Sequence, residues 1–398
     1  MVDASELLRR VEAFLADHDP GTTDRLDFLH ARFDAGLAWV AYPEGLGGLG
    51  APRSLQRVVD EAFARAGAPT NRPESIGIGL GMAAPTILRF GTPEQQRRWL
   101  RPLWTGEEVW CQLFSEPGAG SDLAGLGTRA VPEDRDGERV WIVTGQKVWT
   151  SMAHRARWAI LLTRTDPDLP KHQGITYFVC DMTDPGVQVR PLRQITGEAE
   201  FNEVFLDGAQ IPDVHRLGDV GDGWRVAQGT LMNERVAIGG SVAIDREQGP
   251  IGVLTRLWRD RAELRRPGLH GELMTSWVQA EAIRLTSDLF RQQLATGHPG
   301  PEGASIKLAF AKLNQEVSSL VLEVLGEEGL SYGDYEMRRP ERVDLFGPSP
   351  GYNYLRARGN SIEGGTSEIL LNIIAERVLG LPQEPRVDKD VPWKDLAK

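Results

Sequence analysis

The chain has 398 residues, 41% of them apolar and 25% charged, and a formal net charge of −11. That length implies two or three domains, and the acidic balance argues against nucleic acid as a partner, because phosphate contacts need a basic face. No stretch approaches ~18 uninterrupted apolar residues and the N-terminus lacks a signal-peptide pattern, so a cytoplasmic protein with no membrane partner is expected.

The first hundred residues read as helical. Leu7, Leu8, Val11, Phe14 and Leu15 recur at helical spacing after Asp3, a capping residue with Glu6 three positions on. Residues 54–66 and 93–104 repeat the pattern, the latter with Pro93 at a helix start after Thr92. Between them Gly45, Gly47 and Gly50 match GxGxxG behind the strand-like Leu37–Tyr42. The flanks are helical rather than βαβ and no second parallel strand follows, so a glycine-rich turn is expected rather than a dinucleotide site.

From about residue 110 to 217 the texture changes to short runs of β-branched and aromatic residues. Val140–Val143, Trp158–Thr163, Ile175–Cys180, Val187–Arg190 and Glu203–Leu206 read as strands, with turns at Gly145 and Asp184-Pro185-Gly186. Helical periodicity returns after Gly223, over roughly 224–243, 249–265, 268–296, 302–326 and 366–379. Gly380 and Pro382 stop the last of these. The expected organisation is a helical domain over 1–109, a β domain over 110–218, a second helical domain over 219–382 and a flexible tail over 383–398. Cys111 and Cys180 have neither a disulfide-framework nor a zinc spacing, and the seven histidines are scattered, so reduced thiols and no metal are expected.

Four segments carry candidate chemistry. Gln112 to Asp122 leaves a strand and enters a loop of small residues, where glycines let backbone amides approach a ligand and cradle a phosphate. Trp149-Thr150-Ser151 offers an aromatic face beside two hydroxyls, suited to a flat ligand, although a core tryptophan is the commoner case in a β domain. Met232-Asn233-Glu234-Arg235 sets a carboxylate among apolar neighbours, where burial favours a base, although on the residues alone an exposed ion pair on a helix face is the favoured reading. Ser361 to Ile369 is a glycine turn leading to a helix capped by Thr366 with Glu368 in its first turn.

In order and spacing these segments resemble the acyl-CoA dehydrogenase family over about residues 5–382. The diagnostic stretch is 91–122, from Gly-Thr-Pro-Glu to Phe-Ser-Glu-Pro-Gly-Ala-Gly-Ser-Asp, followed by Trp149-Thr150-Ser151, Gly218 to Arg235, and Gly364 to Ile369. The resemblance implies an α+β multidomain fold: an N-terminal helical domain, a middle β-barrel and a C-terminal four-helix bundle. It implies FAD held by Gln112, Phe114, Ser115, Gly120, Ser121, Trp149, Thr150, Ser151, Thr366 and Glu368. It also implies an acyl-CoA substrate near Ser121, Arg235 and the Gly364 N–H. A carboxylate would remove the α-proton while the β-hydride passes to flavin N5, giving a 2-enoyl thioester. Electron-transfer flavoprotein would be the acceptor, and a homo-oligomer, dimer or tetramer, is implied, with fatty acid metabolism as the setting.

Many members carry the base immediately before the Gly-Thr of the last motif, where this chain has Gly364. Glu363 is one residue early, and a one-residue shift turns a side chain well away. The long-chain and isovaleryl branches place the glutamate on a bundle helix before an arginine, as Glu234-Arg235 stands here. Glu234 is therefore the expected base. Residues 246–262 lack the family's Arg-x-x-Phe-Gly stretch, and 323–329 depart from its Gly-Gly segment, so a heteromer with an incomplete site is one alternative. An oxygen-using flavoenzyme, an acyl-CoA oxidase or monooxygenase, is another.

Overall fold

A computed structural model describes residues 2–241, 249–295, 303–342, 346–347, 349–386 and 388–396, with side chains throughout except at 235–241 and 294–295. The N-terminal part holds α1 (Ala4–Asp17), α2 (Arg25–Asp34), α3 (Gln56–Arg65), α4 (Pro73–Ile78), α5 (Ala84–Phe90) and α6 (Pro93–Thr105). Asp3 caps α1 by accepting the Glu6 N–H at 2.9 Å. The apolar stripe of α1 then buries Leu7, Val11 and Phe14 against Phe28 of α2 and Val59 and Phe63 of α3. α6 opens on a reciprocal box between Thr92 and Gln95 and buries Trp99, Leu100 and Leu103.

Leu37–Tyr42 is not a strand. It is a series of turns folded against the glycine run, with the Trp39 N–H on Gly47 O and the Ala51 N–H on Val40 O, each at 2.8 Å. Gly47 sits at φ +87°, and a Cβ there would lie 2.6 Å from the Phe33 ring. The glycines serve this packed turn, not a βαβ unit.

The middle part comprises β1 (Trp110–Leu113), β2 (Arg129–Arg135), β3 (Glu138–Ser151), β4 (Trp158–Arg164), β5 (Ile175–Asp181), β6 (Val187–Pro191), β7 (Phe201–Pro212) and β8 (Arg216–Leu217). Their order is β6-β7-β3-β2-β4-β5-β8, with β1 parallel to β4. The sheet wraps around a core of Cys111, Leu113, Val143, Leu161, Phe178 and Leu206. Both cysteines are free and buried. Gly145 is not a turn. It lies inside β3, opposite Leu206 of β7. A Cβ there would meet the Thr128 Oγ1 at 2.4 Å, so the glycine serves a close approach between backbones.

The C-terminal part holds α7 (Gly223–Ser241), α8 (Pro250–Asp260), α9 (Leu269–Ala295), α10 (Gly303–Leu325), α11 (Pro350–Ala357) and α12 (Ser367–Ile373). α8, α9 and α10 share a core of Leu254, Leu273, Ile283, Phe290, Phe310, Leu313 and Val317. α7 stands at the junction of all three parts. The buried Thr230 hydroxyl lies 2.9 Å from that of Thr86 on α5 and 3.1 Å from that of Tyr177 on β5. Among the described residues no helix is long and apolar enough to cross a membrane.

The tail is not loose throughout. Residues 388–396 strap the β domain, with Trp393 Nε1 on Gly125 O at 3.1 Å and the Trp393 N–H on Leu169 O at 2.9 Å. The Arg164 guanidinium lies 4.9 Å from the Trp393 ring centre, and Lys171 bridges Asp388 and Asp122 at 2.6 and 2.9 Å. A polar, proline-rich composition concealed one aromatic anchor and its hydrogen bonds. Trp393→Ala is expected to cost about 1–2 kcal/mol, the burial of half an indole plus one hydrogen bond. Amide exchange should accelerate at Gly125–Thr128, and unchanged exchange there would show that the strap does not stabilise the loop.

Candidate active site

The first two motif segments lie side by side. β1 delivers Gln112, half-buried, and Phe114, whose ring is buried edge-on to Tyr177 at 5.8 Å. The Phe114 side chain thus belongs to the core, and only its backbone faces the loop. Beyond it the chain opens outward: Ser115 is half-buried, Gly120 and Ser121 are exposed, and Cβ atoms added at Gly118 or Gly120 would meet nothing within 4 Å. The Val148 N–H donates to Ser115 O at 2.9 Å, tying this loop to the end of β3.

At that end β3 shifts register against β7 between Lys147 and Thr150. The irregularity puts Trp149 at φ +60°, uncommon for any bulky side chain, and leaves it 58% exposed. Its ring meets only the edge of Phe201 among the aromatic contacts of the described residues. The adjacent Thr150 hydroxyl is buried with no hydrogen-bond partner among those residues, and Ser151 is half-buried beside it. A strained, exposed indole next to an unsatisfied buried hydroxyl suits a flat polar aromatic group lying on this strand end. The open glycine loop beside it can take that group's phosphates. A flavin therefore fits the residues present. Trp149→Gly should be about 1 kcal/mol more stable than Trp149→Ala, reversing the usual order, because only glycine is at ease at this φ. Equal stabilities in urea would mean the backbone relaxes.

The loop is held from behind by an ion pair that the sequence did not suggest. Lys147, fully buried, donates to Phe114 O at 2.9 Å and to Glu116 Oε1 at 2.8 Å. Glu116 also accepts the N–H groups of Gly127 and Thr128 at 2.7 and 2.9 Å. Burial alone would raise the Glu116 pKa, but the Lys147 charge and these donors hold it below the usual carboxylate range. Burial lowers the Lys147 pKa, and Glu116 offsets part of that shift. The available signal was register, since Lys147 falls among the inward positions Trp141, Val143 and Thr150 of β3.

The fourth segment, Ser361 to Ile369, approaches from the C-terminal part. Gly364 and Gly365 have φ of 63° and 93°, a turn only glycines adopt freely. Thr366 caps α12 by accepting the Ile369 N–H at 3.3 Å, and Glu368 is exposed in its first turn. Glu363 is committed elsewhere: Arg356 grips it through both guanidinium nitrogens at 3.0 and 2.9 Å, and Asn360 Nδ2 adds a bond at 2.6 Å. Arg356 also reaches Glu200 at 3.5 Å, and Glu200 O accepts the Met152 N–H at 3.0 Å. This bridge joins the glycine turn to the strand end that carries Thr150 and Ser151.

Glu234 is half-buried on α7, one turn beyond Thr230. Lys307 of α10 is buried, and its pKa is pushed down by that burial and back up by the charges of Glu363, Glu234 and Glu368. The glycine turn is thus held by one buried lysine, on which the Glu234 charge also acts and which was not among the residues expected from the sequence. The Arg235 side chain lies outside the described residues. Among the described residues no cluster of His, Cys, Asp and Glu could hold a metal ion.

Three family models match in succession: the acyl-CoA dehydrogenase N-terminal domain over 5–107, middle domain over 111–209 and C-terminal domain over 221–379. Acyl-CoA dehydrogenase FadE34 of Mycobacterium tuberculosis is 44% identical over 88% of the chain, which spans 45% of that relative's length. Acyl-CoA dehydrogenase IpdE1 of the same organism is 37% identical over 97% of the chain and 100% of its own length. Among solved structures, a single-residue variant of the Tcur3481-Tcur3483 steroid ACAD superposes with a TM-score of 0.69 at 25% identity, over 96% of this chain and 99% of that one. The ChsE4-ChsE5 complex of M. tuberculosis gives 0.68 at 25% identity, over 96% and 98%. With all three domain models matched in order and a full-length relative at this identity, the chain belongs to the acyl-CoA dehydrogenase family, a family of flavoprotein oxidoreductases.

Proposed function

We propose that the chain catalyses α,β-dehydrogenation of an acyl-CoA thioester, with Glu234 as the base. The observation that carries this is the division of labour between two glutamates. Glu363 is locked in a fork with Arg356, whereas Glu234 stands half-buried on α7, where its charge acts on the lysine that holds the glycine turn. In this reading Glu234 removes the α-proton, and the Gly364 N–H receives the thioester carbonyl as it gains enolate character. Gln112, Ser115, Gly120, Ser121, Trp149, Thr150, Ser151, Thr366 and Glu368, with the Phe114 backbone, would hold FAD. FAD, when bound, accepts the β-hydride. Ser121 and Arg235 would line the path of the thioester, and electron-transfer flavoprotein would take the electrons.

Two features refine the reading. The solved relatives include proteins described as steroid acyl-CoA dehydrogenases, so a steroid-derived or comparably bulky acyl-CoA is the substrate class to test first. FadE34 is more than twice as long as the aligned region, one of the solved structures is described as a complex of two differently named proteins, and another carries a two-part name. With 246–262 lacking the family's Arg-x-x-Phe-Gly stretch, these favour a partner of the same fold that completes the site. Anaerobic titration with steroid side-chain, long-chain and short-chain acyl-CoA thioesters tests the substrate. Bleaching near 450 nm with the steroid thioester alone supports the assignment, and bleaching by short chains alone opposes it. The FAD content of the chain expressed by itself tests the partner: a full complement per chain would contradict the need for one.

A further inference from the structure

Lys307 lies buried on the inward face of α10, along the row formed by Gly303, Phe310, Asn314 and Val317. Its ammonium donates to Asn360 O and to Gly365 O, each at 2.7 Å. Those two carbonyls bracket the turn that contains Glu363 and Gly364. One side of the bracket is secured again from α10, where Asn314 Nδ2 donates to Asn360 Oδ1 at 2.7 Å. The carboxylates whose charges act on the ammonium are Glu363 from the turn, Glu234 from α7 and Glu368 from α12, and Arg356 is paired with Glu363. A buried lysine that donates to two carbonyls of one glycine turn is a costly way to fill space, since the charge must be desolvated.

We propose that Lys307 is a positioning residue for the dehydrogenation. It fixes the Gly364-Gly365 turn so that the Gly364 N–H is aimed at the thioester carbonyl before that carbonyl gains charge. The inference rests on the reading above, in which that N–H receives the carbonyl. Two consecutive glycines at positive φ have the widest conformational freedom of any dipeptide, so an unanchored turn would have to order itself during the reaction. A donor oriented in advance bears no such reorganisation.

The test uses FAD-loaded wild-type protein, Lys307→Met, Lys307→Gln and Glu234→Gln, with FAD content and thermal midpoint measured for each. The infrared band of a ¹³C-labelled thioester carbonyl in a bound 2-enoyl-CoA reports polarisation by the N–H. In wild type and Glu234→Gln this band should shift down from its solution position, and in Lys307→Met it should return toward it. Turnover of Lys307→Met should fall about 10²-fold, as when an oxyanion donor is lost, with KM within about threefold because ground-state binding is largely kept. Should Lys307→Met fail to hold FAD, Lys307→Gln at saturating FAD carries the comparison, and an intermediate band position is expected. A wild-type band and wild-type turnover in the lysine variants at equal FAD content would overturn the inference while leaving the site reading intact. No shift in wild type would overturn both.

Discussion

Glu234→Gln should retain FAD and the folded state yet lose turnover by about 10²–10⁴-fold, the range that a positioned general base contributes. The substitution preserves shape and removes only the capacity to take a proton. Glu234 is half-buried on a helix whose buried face holds Thr230, Val226 and Ala227, so its Cβ position is set by the three-domain junction and not by its own charge. The matched control is Glu363→Gln. Removing that charge leaves Arg356 buried beside Glu200 with half of its fork lost, and breaking such a pair costs roughly 3–5 kcal/mol. Glu363→Gln should therefore unfold at lower denaturant while keeping most of its activity per bound FAD. The two variants separate chemistry from stability along different axes, and steady-state kinetics with urea titration reads both.

Lys147→Met has a large expected effect on stability. It strands the Glu116 carboxylate in a buried site and removes the donor to Phe114 O. The expected loss is about 3–5 kcal/mol, with release of FAD before global unfolding, because the affected backbone is the loop from Phe114 to Thr128. The pH dependence has a definite sign. In wild type the Glu116 pKa is depressed by folding, so the stability it contributes is present above the ordinary carboxylate pKa and is lost as pH falls below it. Without Lys147, burial raises that pKa, and the variant should recover part of its deficit as pH falls toward 5. The double variant Lys147→Met/Glu116→Gln should regain much of the loss near neutral pH. A double variant no more stable than the single one at pH 7 would assign the stability to packing of the lysine stem.

The order of domains was legible because each rests on its own periodicity: Leu7, Val11 and Phe14 at helical spacing, then strands such as Trp158–Thr163, then the long helices after Gly223. Residues whose role depends on partners far along the chain were not legible. Gly145 has the composition of a turn but answers to Thr128 across the sheet. Trp393 sits in a proline-rich tail yet docks on Gly125, more than 250 positions earlier. α11 escaped notice because its eight residues bury only Gly351, Tyr352, Arg356 and Ala357, two of them polar-tipped. Lys147 and Lys307 are not legible as buried residues in the sequence, because lysine is almost never buried unless paired. Their positions in the inward rows of β3 and α10 were readable, but the carbonyls and carboxylates that justify them were not. Glu234 is the expected base because it precedes Arg235 while position 364 holds a glycine, the arrangement the family resemblance implies. The Arg356 fork that engages Glu363 could be seen only in the structure.

The identity of the base is the central claim, and exchange of the substrate α-hydrogen tests it without relying on flavin reduction or an electron acceptor. FAD-loaded wild type, Glu234→Gln and Glu363→Gln are each incubated anaerobically in D₂O with an acyl-CoA that bleaches the wild-type flavin. Deuterium at the α-carbon is then followed by mass spectrometry. Incorporation with wild type and Glu363→Gln, and none above background with Glu234→Gln, is the predicted result. Incorporation by Glu234→Gln at the wild-type rate, with none by Glu363→Gln, would contradict it.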